Sequence, residues 1–239
     1  MASSTSSDLK LELITTGEKS GTWGTITNTN LQILEQASSG YLSLDVASGD
    51  VALSLANHAT ANGKNLYYKL TGTLAGNRAV TMPDSAERVF IVEDATARSA
   101  SNYTLTVKTV SGTGLALPIG STTILYSDGT NITGKLQTKG YYTPSATYTT
   151  VNGDQILVNT SGSGISAAVT INLPASPAIG NEVTFIDSGN NLASNNLTVG
   201  RSGSNINGTG SDLVVSANAS AFTLVYVNAT LGWVYKDKI

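Results

Sequence analysis

The sequence predicts an all-β chain: two tandem β-sandwich or barrel-like units preceded by a short N-terminal strand and helix. Three observations carry this. First, one set of strand-like segments occurs twice in the same order. Ala79-Val80-Thr81-Met82-Pro83, Val89–Glu93, Asn102–Val107 and Thr123–Tyr126 are followed by Val169–Pro174, Val183–Asp187, Asn195–Val199 and Thr223–Tyr226, with a longer loop before the last strand of the second copy. A long-period repeat signals similar units in series rather than one merged core. Second, the segments are short, alternate in polarity and are separated by Gly, Asn, Asp and Ser, which is the pattern of many short strands. Third, charged residues make up only 12% of the 239 positions, against about a quarter in average domains. The chain divides by pattern into an attachment or assembly segment (1–40), a first β domain (41–140) and a second (141–239).

Taken in order, residues 8–16 alternate, with Leu9, Leu11 and Leu13 against Asp8, Lys10 and Glu12, the period of a strand with one buried face. Thr16–Gly24 reads as a glycine-rich loop, and Trp23 within it is expected to pack on the helix that follows, because a large apolar ring left in water costs free energy. The helix itself is read over Asn28–Ala37, capped by Asn28 or Thr29 and ended by Gly40. A helix of this length is too short to stand alone. Its apolar residues need a partner, either the adjoining β domain or copies of itself. Because the segment precedes both repeats, Trp23, Leu31 and Leu34 are the candidate assembly residues. Tyr41–Val46 and Asp50–Leu55 flank Ala47-Ser48-Gly49 as a hairpin signal. Further strands are expected near 66–72, 77–82, 88–93, 102–109, 122–126 and 130–136. Asp128-Gly129 supplies a tight turn between the last two. Pro83 and Pro174 stand at matching strand ends, where a missing N–H is tolerated. In the pairs Tyr67-Tyr68 and Tyr141-Tyr142 one ring is expected inside and one outside, since strand neighbours point to opposite faces. Trp233 and Tyr235, beside Tyr226, read as core closure.

Little in the sequence supports catalysis. No cysteine is present, which removes disulfides and thiolate chemistry together. The single histidine, His58, reads as an exposed loop residue rather than a triad or metal-site member. Paired carboxylates at Glu93-Asp94 and Asp187 are the one possible acid pair, but acids at strand ends commonly cap turns. No phosphate-binding glycine loop and no EF-hand spacing occurs. No catalytic residue, cofactor or metal is therefore assigned. A net charge of −3 with scattered lysines argues against nucleic acid. Met1–Ser7 lacks a charged region followed by an apolar run, so no signal peptide is expected, and no apolar stretch approaches the ~18 residues of a membrane helix.

Glu12–Leu31 resembles a segment recurring in structural proteins of tailed bacteriophages, notably phages of marine and freshwater bacteria. Leu70–Pro83, and Asn102–Val110 followed by Gly112-Thr113-Gly114, resemble modules of phage tail fibres. Asn196–Val199 and Leu224–Trp233 are similar to terminal domains of such fibres. The resemblance covers nearly the whole chain. It implies a homotrimer without enzymatic activity, made in the host bacterial cytoplasm and located in the virion, on the tail or particle surface. Its partners would be itself, other virion proteins and a host surface glycan. A capsid decoration or head-fibre protein stays open as an alternative, as does a polysaccharide-degrading enzyme. The chain lacks the extended shaft of a long fibre.

Overall fold

The computed structural model describes residues 2–99, 103–138 and 140–238. Asn102 of the first repeat, and Lys139, lie outside them. The chain is nearly all β with a single α-helix among the described residues, in a β-solenoid-like arrangement. It splits into two compact units, Met1–Ala97 with Thr104–Leu117 and Thr122–Thr138, and Arg98–Tyr103 with Pro118–Ser121 and Lys139–Ile239.

The N-terminal arm forms β1 (Ser4–Thr5), which pairs antiparallel with β2 (Glu12–Leu13), and then α1 (Trp23–Ser39). The first unit continues through β3 (Tyr41–Asp45), β4 (Val51–Ala52), β5 (Tyr67–Thr71), β6 (Thr73–Leu74), β7 (Arg78–Met82), β8 (Glu87–Asp94), β9 (Ala97–Arg98), β10 (Leu105–Thr109), β11 (Gly114–Ala116), β12 (Thr122–Asp128) and β13 (Ile132–Thr138). The second holds β14 (Tyr141–Tyr142), β15 (Tyr148–Thr149), β16 (Gln155–Val158), β17 (Val169–Asn172), β18 (Glu182–Asp187), β19 (Leu197–Gly200), β20 (Leu213–Val215), β21 (Ala221–Asn228) and β22 (Gly232–Lys238).

Both units wind the chain alternately through two sheets. In the first, β3, β5 and β8 lie parallel in one sheet, and β4, β7 and β10 lie parallel in the other. Antiparallel strands then finish the sheets, β11 on β10, β12 on β8 and β13 on β12. The second unit repeats this strand for strand. Its sheet orders, β14-β16-β18-β21-β22 and β15-β17-β19-β20, mirror β3-β5-β8-β12-β13 and β4-β7-β10-β11. The four segments that recur in sequence are therefore structural counterparts: β7 with β17, β8 with β18, β10 with β19 and β12 with β21.

Parallel register aligns like side chains into buried ladders. Leu42, Tyr68 and Val92 are in-register neighbours, as are Leu44, Leu70 and Asp94. In the second unit Tyr142, Ile156 and Phe185 line up, and Tyr148, Ile171 and Val199 do so in the other sheet. Phe90, Leu70, Met82, Leu105 and Leu125 are fully buried in the first unit, and Ile156, Phe185, Val199, Leu224 and Trp233 in the second.

Several sequence expectations are corrected here. Tyr41–Val46 and Asp50–Leu55 do not form a hairpin. β3 pairs with β5 and β4 with β7, each parallel, so Ala47-Ser48-Gly49 turns the chain from one sheet into the other. Residues 8–16 do not form one strand. Lys10 has φ of 57°, which breaks the extended run, and only Glu12–Leu13 is paired. The helix starts at Trp23, five residues before the expected cap, and Thr22 makes no side-chain capping bond. Ile26 and Ile33 lie on its docked side, so tertiary packing overrides the weak propensity of its first turn. Gly40 does end the helix, and a Cβ there would clash with Gln36 O. As expected, Asp128-Gly129 joins β12 to β13, with Asp128 Oδ1 accepting from Thr130 N at 2.8 Å and Asn131 N at 2.6 Å.

Ile33 is the one fully buried residue of α1. Ile33→Ala is expected to cost about 2–5 kcal/mol, the range for aliphatic truncation in a packed core, measurable as a lowered denaturant midpoint.

Candidate functional site

The helix presents two unlike faces. Ile26, Asn30, Ile33 and Ala37 turn inward and are half-buried or buried. Trp23, Leu31 and Leu34 turn outward, at 64%, 57% and 44% exposure. Spacings of eight and three residues at 100° per step place these three within about 80° of one another. Trp23 is thus not the loop ring packed on the helix that the sequence suggested. It belongs to the helix's own first turn and points away from the fold. The same stripe carries Thr27 and Ser38, and Glu35 is the only charged residue of the 17 in the helix. A helix face meant for water normally carries charge. This one presents Leu31 and Leu34 together and Trp23 two turns earlier on the same side, with small polar Thr27 and Ser38 beside them.

The arm before the helix is fastened on its docked side. Asn30 grips the Glu12 peptide twice, with Glu12 N donating to Asn30 Oδ1 at 3.0 Å and Asn30 Nδ2 donating to Glu12 O at 2.8 Å. His58 N donates to Lys10 O at 2.8 Å, and Thr5 Oγ1 lies 2.8 Å from His58 Nε2. His58 is therefore half-buried, not the exposed loop residue expected, because the arm covers it. Lys19 sits 3.0 Å from Glu12 and holds its carboxyl below the usual carboxylate range, with a smaller contribution from His58. These contacts fix where the stripe begins.

The last turn of the helix is tied to the loop that carries the 3₁₀ turn Asn62–Lys64, with Gln36 Nε2 donating to Ala61 O at 3.0 Å, and two cations hold carbonyls of that loop. Lys64 is fully buried, and its Nζ donates to Ala56 O at 2.8 Å and Ala59 O at 2.6 Å. Arg88 donates to the carbonyls of Gly63, Lys64 and Asn65. Burial, then the nearby Arg88 charge, pulls Lys64 below the usual lysine range. These cations brace backbone under the helix; the sequence showed only scattered lysines.

The candidate carboxylates are occupied structurally. Glu93 accepts from Tyr67 Oη at 2.9 Å and pairs with Lys69 at 3.1 Å. Asp94 is fully buried and accepts from Thr96 N at 3.0 Å. Asp187 accepts from Ala219 N at 3.0 Å. Parallel register makes Asp94, not Glu93, the counterpart of Asp187, because Leu70 faces the first and Val158 the second. Among the described residues no cluster of three or more His, Asp or Glu could hold a metal ion. Among the described residues no helix is long and apolar enough to cross a membrane.

The aromatics sort as alternation requires. Tyr68 is buried edge-on to Phe90 at 5.9 Å, while Tyr67 stacks on exposed Tyr41 at 5.8 Å. Tyr141 is exposed, and Tyr142 meets Tyr148 at 5.0 Å. Trp233 is fully buried against Tyr226 at 5.6 Å, closing the second core. A surface groove that the sequence did not reveal lies beside β20 in the second unit, walled by Leu213, Val215, Phe222 and Tyr235.

No protein-family model and no curated protein matches the chain. Among solved structures it is similar to a chain described as "Structure of a chaperone-substrate complex", at 11% identity and a TM-score of 0.36, over 82% of this chain and 32% of that one. A likeness this weak carries no argument about fold or activity.

Burial pushes the Tyr68 phenol up to about 12. A raised phenol favours the fold fully below the unfolded value of about 10, and that stabilisation is lost as pH climbs through the folded value. Among the described residues the Tyr68 hydroxyl makes no hydrogen bond of standard geometry. Tyr68→Phe is therefore expected to leave stability at neutral pH nearly unchanged and to flatten its decline between about pH 10 and 12. Chemical denaturation across that window checks this.

Proposed function

We propose that the chain is a non-enzymatic structural protein of a tailed-bacteriophage particle, a short tail-fibre or tail-appendage component that assembles as a homotrimer. The observation that carries the reading is the outward stripe of Trp23, Leu31 and Leu34 on a helix almost free of charge. A stripe this apolar stabilises an assembly when copies bury it against one another around an axis. The resemblance of Glu12–Leu31 to phage structural proteins falls on the same segment. The duplicated β unit favours a repetitive structural role over a single-cleft catalyst. In this reading the finer architecture is two tandem sandwich-like units carried by a trimeric N-terminal segment.

Assembly gives the particle several copies of each β unit. Weak contacts to a host surface glycan then add through multivalency. The structural partners of Glu93 and Asp94 favour this adhesive role over hydrolysis.

Light scattering of the purified chain tests the assembly. The expected mass is about three times the 24.6 kDa of one chain, and Leu31→Ser with Leu34→Ser together should reduce it to one chain without unfolding the β units. A wild-type mass of a single chain would overturn the trimer.

A further inference from the structure

The two units share strand order and register, so they can be compared position by position, and they differ at one end. In the first unit Leu125 faces Gly134 across β12 and β13; in the second Leu224 faces Tyr235 across β21 and β22. Likewise Thr123 faces Val92 where Phe222 faces Phe185. Gly134 and Thr123 of the first unit are thus replaced by Tyr235 and Phe222 in the second. The exchange alters how each end closes. Leu115 of β11 lies over Gly134, and a Cβ at that glycine would come within 2.7 Å of Leu115 Cδ2 and 3.4 Å of Thr123 Cγ2. The counterpart of Leu115 is Leu213, set by the pairing of Val107 with Leu115 and of Val199 with Leu213. At this end of the second unit Leu213 and Tyr235 both pack partly on the core and both line the surface between them. The result is an open groove of about 280 Å³.

We propose that this groove binds a neutral sugar ring, one monosaccharide unit of a larger glycan. The lining carries no charged side chain: Leu213, Val215, Phe222 and Tyr235 form the wall, with Ser216 and Ser220 among the polar groups. Nothing there would compensate the desolvation of a phosphate, carboxylate or ammonium. The volume lies just under the roughly 300–1,000 Å³ of pockets for drug-sized ligands, which suits one ring and excludes a nucleotide. The wall is aromatic and rigid. Phe222 stacks on Phe185 at 5.1 Å and meets Tyr235 edge-on at 5.6 Å. Phe222 is buried under Phe185, so half-buried Tyr235 is the ring offered to the groove, and the negative face of an aromatic ring attracts the polarised C–H face of a pyranose. For the polar edge the exposed Ser216 hydroxyl donates and accepts, while Ser220 Oγ, which donates to Ala217 O at 2.7 Å, accepts. A ligand with one apolar face and a neutral, hydroxylated rim matches both halves of the lining.

The inference rests on the host-contact part of the reading above and gives that contact a site. Saturation-transfer NMR of the full chain with methyl glucoside, methyl galactoside and methyl mannoside tests it. At least one is expected to receive saturation, strongest on its ring C–H protons. Ala217 lies exposed in the lining, so Ala217→Leu should fill the groove from the rim and weaken binding at least about tenfold, with an unchanged thermal midpoint. No transfer to any of the three sugars overturns the proposal, as does equal transfer in Ala217→Leu. A single-chain mass in light scattering with transfer intact removes the trimer and leaves the groove; a trimer without transfer does the reverse.

Discussion

The structure depends on in-register parallel stacking between strands that the chain visits alternately in two sheets. Each return to a sheet sets the new strand one place further along with the same side-chain phase, so an inward residue lands beside an inward residue. Leu42, Tyr68 and Val92 make one such ladder, and Tyr142, Ile156 and Phe185 its counterpart. A one-residue slip would turn the ladder outward. Such stacking leaves open sheet edges, which invite pairing with other chains. Both units end the run in the same way, with antiparallel strands added to the last parallel pair. Two acids, buried Asp94 and half-buried Asp187, follow from the same rule. Asp94 and Asp187 occupy equivalent ladder positions where the chain leaves the sheet, and each turns its carboxylate onto nearby backbone.

The duplication was legible in the sequence because it is written in alternation and turn residues, which are local signals. The strands expected near 77–82 and 122–126 follow from them and are found at 78–82 and 122–128, as are the inward Tyr68 and Trp233. Parallel pairing was not legible. Ala47-Ser48-Gly49 looks like a hairpin turn, but whether the next strand folds back or crosses to another sheet is decided by partners far along the chain. The helix start was misplaced for a related reason, since Ile26 lies on the docked face of a helix whose opening residues have little intrinsic propensity. Trp23, Leu31 and Leu34 could be named from the sequence, whereas their shared outward direction required knowing which face Ile33 buries. The groove left no sequence signal at all. It arises from the difference between Gly134 and Tyr235, and that becomes visible only once register aligns the two copies.

The division of labour follows from these constraints. Burial of Ile33, the grip of Asn30 on Glu12 and the brace of Lys64 and Arg88 hold the helix in place while leaving its other face bare. Each β unit holds buried core residues of its own. The ladder residues differ between the copies, Leu42, Tyr68 and Val92 against Tyr142, Ile156 and Phe185, yet the parallel register is the same. Repetition thus supplies a stable scaffold, and the places where repetition fails are where specific contact can be built.

The central claim is that the outward helix stripe joins copies of the chain. The protein contains no cysteine, so a single introduced thiol reports on one position alone. Leu34→Cys, on the stripe, and Gln32→Cys, on another side of the helix, can each be oxidised mildly and separated under denaturing conditions. Copies packed through the stripe should give a covalent dimer from Leu34→Cys and mostly monomer from Gln32→Cys. Monomer from both, or equal cross-linking of the two, would contradict assembly through this face.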